Sequence, residues 1–187
     1  MRLFTAIDVP AAWRDEASEM RRRLTDPVDA DLRFVPRDQL HVTARFLGEV
    51  SVDRAEALVR AVEAVPALAV DMELESTGTF GSPSRPTVVW LGIGIDAAAA
   101  GELIEQVDGA VAAAGLGPSE GPWQPHLTLA LVRRQASAER RRALAQAVRE
   151  LPAPARNRFT VRRVSLYRSD LGNRAPRHKL LARSAIS

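Results

Sequence analysis

The sequence predicts an α+β fold: a pseudo-two-fold duplication in which two antiparallel sheets line a central cleft and helices lie outside. Three observations point there. Segments of alternating apolar residues, such as ALAVDMEL and TVVWLGIG, are interleaved with segments of helical period. The order strand, short loop, helix, proline-bearing break, strand, turn, strand occurs twice. Each copy opens on one pattern, His41-Val42-Thr43 in the first and His126-Leu127-Thr128 in the second. His41 precedes the strand start at Leu68 by 27 residues and His126 precedes Phe159 by 33. No long linker divides the copies, so residues 1–187 read as a single bilobal domain.

The elements follow in order. Arg2 to Asp8 reads as a strand, and Pro10 suits the first turn of a helix carrying Trp13, Ala17, Met20 and Leu24 on one face. TDPVDAD has turn chemistry. In the strand LHVTARFLG, period-two alternation places His41, Thr43 and Arg45 on one face and Val42, Ala44 and Phe46 on the other. Ser51 is positioned to cap a helix bearing Ala55, Leu58, Val62 and Val65. GSPSRP turns ALAVDMEL into TVVWLGIG. Asp96 caps the next helix, with Ile104, Val107 and Val111 inward and Gly115 and Gly117 closing it. HLTLALV is a strand, Ser137 starts a helix with Leu144, Val148 and Leu151 inward, and RFTVRRVSLYRS and HKLLARSA form two strands around DLGNRAP.

Composition narrows the function classes. The 187 residues are 46% hydrophobic with a mean hydropathy of −0.13, which suits a packed core. No apolar run nears the roughly 20 residues that span a bilayer. MRLFTAIDVP meets Asp8 before any hydrophobic leader forms, so the expected setting is the cytoplasm, without membrane contact. The absence of cysteine excludes disulfides, thiolate nucleophiles and zinc–thiolate sites. Charge is unevenly spread. Residues 1–130 hold 11 basic and 20 acidic side chains, net −9; residues 131–187 hold 15 and 3, net +12. Nearly every base is arginine, whose planar fork suits phosphate.

Two of only three histidines therefore share one setting, each with a threonine two residues on and on the same strand face. A two-fold relation between the halves brings both pairs to one groove. Hydrolysis of a phosphodiester needs a group that takes a proton from water and another that gives one to the leaving oxygen. Imidazole does either near neutral pH. Threonine hydroxyls can hold the non-bridging oxygens. No metal is expected: HxT is not a ligand spacing, and HExxH is absent.

MRLFTAIDVP, LHVTARFLGEV, TVVWLG, PHLTLALV and LYRSDLG together resemble the bacterial and archaeal RNA 2′,3′-cyclic phosphodiesterases, the LigT/ThpR-like members of the two-histidine phosphoesterase superfamily. The resemblance runs essentially end to end. It implies hydrolysis of a terminal 2′,3′-cyclic phosphate on RNA or a nucleotide to a 2′-phosphomonoester with no required metal; no cofactor, no obligate protein partner and a monomer are expected beside it. It also implies that His41 is the proton donor, that His126 is the proton acceptor, and that Thr43 and Thr128 hold the phosphoryl oxygens. The alternatives that use the same cleft are a 2′-5′ RNA ligase activity, which is the reaction run in reverse, and action on a related cyclic nucleotide. A non-catalytic RNA-binding module is the alternative from another class, and it needs no opposed histidines.

One position departs from the family. Members often carry arginine where this chain has Leu131. Arg45, Arg133 or Arg134 are the candidates to supply that cation, the last two reading equally as a solvated strand end. Trp123, between two prolines before His126, is a candidate substrate contact at the cleft rim or else a packing plug. Tyr167 can stack a base. Phe46 reads as core, His178 as a structural or solvent histidine, and Arg140 to Arg142 as a solvated helix face.

Overall fold

The computed structural model describes the whole chain except residues 29–30, 68, 83, 118–120, 171–176 and 186–187, and gives only the backbone of 25–28. The expected strand start at Leu68 and most of the DLGNRAP turn lie outside the described residues. In chain order the elements are β1 (Arg2–Asp8), α1 (Ala11–Val28), β2 (Leu32–Phe34), a 3-10 turn (Arg37–Gln39), β3 (His41–Glu49), α2 (Val52–Glu63), β4 (Val70–Ser82) and β5 (Arg85–Ile95). There follow α3 (Ala97–Ala113), β6 (His126–Val132), α4 (Ala138–Glu150), β7 (Phe159–Val161), β8 (Ser165–Asp170) and β9 (Arg177–Arg183).

The local signals explain most boundaries. Trp13, Ala17, Met20 and Leu24 form the buried stripe of α1. The Asp96 carboxylate accepts the backbone N–H groups of Ala98 and Ala99, and the Ser137 hydroxyl accepts that of Arg140, so both are true N-caps. Ser51 occupies the N-cap position of α2, but its hydroxyl makes no cap bond. Gly115, at φ +71°, turns the chain out of α3. The helix α1 runs through Thr25 to Val28, where turn residues suggested an earlier stop.

All strand pairings are antiparallel, in the order β7-β4-β5-β6-β3-β1-β8-β9, with β2 added beside β6. The expected two sheets are recognisable as β9-β8-β1-β3 and β7-β4-β5-β6. They join edge to edge through one backbone pair, Val42 opposite Leu127. The helix α4 packs against β4 and β5, and α2 against β8 and β9, while α1 meets α4 and α2 meets α3. Val42 and Leu127 sit in the core beneath the seam with no solvent exposure.

The frame of the repeat differs from the sequence reading. Counted outward from the seam, β3 corresponds to β6, β1 to β5 and β8 to β4. The repeated unit is therefore β1-α1-β3-α2-β4 and β5-α3-β6-α4-β8, one strand and one helix earlier than the HxT strands. Its last strand crosses over: β4 pairs within the second half-sheet and β8 within the first. A nearly constant offset relates the two copies in the sequence. His41 and His126 are 85 residues apart, and the two serine N-caps, Ser51 and Ser137, are 86. RFTVRRVSLYRS is accordingly two strands, β7 joining β4 and β8 joining β1.

Candidate active site

Antiparallel pairing at Val42 and Leu127 fixes how the two motifs meet. With those two side chains buried, His41, Thr43, His126 and Thr128 all project from the opposite face. Opposed strand directions set His41 abreast of Thr128, and Thr43 abreast of His126. The cavities show the same cross-pairing. His41 and Thr128 line a slot of about 190 Å³ with Phe34, Pro36, Leu131 and His178. Thr43 and His126 line a groove of about 590 Å³ with Phe46, Phe80 and Trp123. In an antiparallel ladder, diagonal neighbours such as the two histidines lie about 7–8 Å apart, with their Cβ atoms somewhat closer. That separation leaves room for a tetrahedral phosphorus between the rings.

Each imidazole is anchored in the same way. His41 Nδ1 lies 2.8 Å from the Gln39 carbonyl, and His126 Nδ1 lies 2.7 Å from the Gln124 carbonyl. A carbonyl only accepts, so each Nδ1 carries hydrogen and each Nε2 is left for proton exchange. An aromatic ring backs each one: Phe4 at 4.9 Å from His41 and Phe80 at 4.7 Å, edge-on, from His126. The repeat thus extends to Gln-X-His-X-Thr, a longer signal than HxT alone. Burial pushes His41 down to about 4, opposed by its bond to the Gln39 carbonyl and assisted by His178. The ring is neutral at pH 7 when the cleft is empty.

Several other residues are placed differently from the sequence expectation. Alternation fails at Ala44, where the register with β1 slips by one residue: Thr43 faces Ala6 and Arg45 faces Thr5. Beyond that bulge the faces exchange. Arg45 is largely buried, ion-paired with Asp108 of α3 and bonded to the Gly117 carbonyl, so it braces α3 while still lining the groove. Phe46, expected in the core, is 54% exposed on the groove side, with the Arg2 guanidinium 4.8 Å above its ring. Arg133 and Arg134 lie beyond the end of β6, exposed and outside both cavities. Trp123 fits both of its readings: it lines the groove, and its indole N–H donates to the Thr43 carbonyl at 2.9 Å.

Three further side chains depart from expectation or join the site. Arg141 is buried, its guanidinium donating to the carbonyls of Pro86, Arg133, Arg134 and Ala136. The solvated arginine face is therefore broken at its centre. His178 stands edge-on to His41 at 5.1 Å and to Phe4 at 4.9 Å. No sequence signal marks it, because only the pairing of β9 with β8 carries it to the cleft. Tyr167 donates to Asp8, which also accepts from Ser165 and pairs with Arg183, and is thereby tied into the cleft wall.

Comparison with known proteins bears on the family and the fold. The family model of the 2′-5′ RNA ligase superfamily matches residues 9–173. The chain belongs to that superfamily. It is 30% identical over 187 residues to an Escherichia coli K12 protein named RNA 2′,3′-cyclic phosphodiesterase, covering all of this chain and 97% of the relative. The crystal structure of E. coli LigT complexed with 3′-AMP superposes with a TM-score of 0.75 at 29% identity, covering 100% of this chain and 98% of that one. A crystal structure from Thermus thermophilus shares the fold, with a TM-score of 0.78 at 24% identity over 98% of this chain and 96% of its own.

Proposed function

We propose that this protein hydrolyses the terminal 2′,3′-cyclic phosphate of RNA ends to a 2′-phosphomonoester. The observation that carries the reading is the pair of imidazoles set diagonally across one seam, each beside the other motif's threonine. In the proposed step, His126 Nε2 takes a proton from water, and the water oxygen bonds to phosphorus. The P–O3′ bond breaks on the far side, and His41 gives a proton to the departing O3′. Thr43 and Thr128 hold the non-bridging oxygens as charge builds on them. An empty cleft keeps His41 neutral. The entering phosphodiester anion favours its protonated form, so the donor is charged by the substrate it serves. The slot beside His41, walled by Phe34, Pro36 and Leu131, suits the flat apolar body of the terminal nucleoside. Leu131 there replaces a charge with a packing surface.

The test is turnover of a 2′,3′-cyclic mononucleotide, with the product identified as 2′- or 3′-phosphate. His41→Ala and His126→Ala should each lose about 10²–10⁴-fold in kcat. Full turnover by both variants, or release of a 3′-phosphate, would overturn the reading.

A further inference from the structure

A third cavity, of about 500 Å³, adjoins the slot and shares Pro36, Gln39, His41 and His178 with it. Its wall is polar and contains Arg14 of α1 and Arg177 of β9. Two carboxylates also line it. Asp8 is already engaged by Ser165, Tyr167 and Arg183, and Asp38 lies exposed on the 3-10 turn. Arg14 is half-buried, and its Nε is enclosed without a hydrogen-bond partner among the described residues. An enclosed N–H with no acceptor is unfavourable.

The position of the ribose says which anion. Breaking P–O3′ on the His41 side places the terminal ribose on that side of the seam, away from the groove at His126. RNA continues from that ribose through its 5′-oxygen, and the next group along the strand is a phosphodiester. We infer that this cavity binds the phosphodiester one step upstream of the cyclic phosphate through Arg14 and Arg177, making the protein selective for oligonucleotide ends over mononucleotides. Planar guanidinium forks suit such a group bidentately. The inference rests on the phosphodiesterase reading and names the substrate that the site prefers.

The experiment compares a 2′,3′-cyclic mononucleotide with a dinucleotide ending in the same cyclic phosphate. The wild-type protein should favour the dinucleotide about tenfold or more in kcat/KM. Arg14→Gln and the exposed Arg177→Gln should each narrow that gap. Each should also reduce the slope of log KM for the dinucleotide against log salt by about 0.7. Equal treatment of the two substrates by the wild-type protein, or a gap that persists in both variants, would overturn the inference. Absence of turnover on either substrate would instead overturn the phosphodiesterase reading. Binding of a dinucleotide bearing a 2′-phosphate would then decide the cavity: affinity weakened by the two substitutions upholds it, and affinity unchanged by them removes it.

Discussion

Enclosure between Phe4 and His178 gives His41 a basicity far from that of a free imidazole, and the consequence reaches folding as well as catalysis. Between pH 6.5 and about 4, the unfolded chain protonates this ring while the folded chain does not. Acidification through that window therefore favours unfolding, and below about 4 this group adds no further loss. The effect is on the order of 3 kcal/mol across the window. Urea midpoints at pH 7 and pH 4.5 should fall more for the wild-type protein than for His41→Asn; parallel behaviour would show that the ring titrates normally. At this scale the sequence was informative where a property is local. The HxT faces follow from the strand period, and the shared Gln-X-His-X-Thr pattern lies in plain view. The approach of His178 to His41 was not legible, since it depends on a pairing between strands far apart in the chain.

Strands β4 and β5 show how an element holds His126, the proposed base, in place. Gly78 lies opposite Trp90, and a Cβ at Gly78 would overlap the indole ring. Trp90 in turn packs at 5.4 Å on Phe80, the ring that backs His126. Gly78→Ala should cost about 1–3 kcal/mol through overpacking and lower kcat by displacing that support. Thermal unfolding and single-substrate kinetics check the two effects separately; unchanged kcat with lowered stability would break the proposed link to His126. Helix caps and apolar stripes were readable because they obey short-range rules, as Asp96 and Ser137 show. The bulge at Ala44 was not, since nothing in VTARF marks an extra residue. Pairing with β1 creates it, and with it the exchange of Arg45 and Phe46 between faces.

Across the whole molecule, each repeated unit lends a strand to the other half-sheet. The partners of β4 are β5 and β7, and β1 depends on β8 on one side. Neither half can complete its sheet alone, so the chain should unfold in one cooperative step. Trp13, Trp90 and Trp123 are spread over both halves, so fluorescence and far-UV circular dichroism should give coincident transitions. A fragment of residues 1–83 should show no cooperative transition of its own, and a cooperative one would refute this dependence. The duplication was legible from element order. The strand crossover was not, because pattern alone does not say which neighbour a strand will choose.

The narrow junction at Val42 and Leu127 has one more effect. It offers an incoming phosphodiester two orientations related by a half-turn, because the strand geometry of the two motifs is the same on either side. The choice falls to what flanks them: guanidinium groups and an apolar slot toward His41, aromatic rings toward His126. On the proposed mechanism, trading those flanks would dock the ligand backwards and interchange acid and base while leaving both histidines untouched.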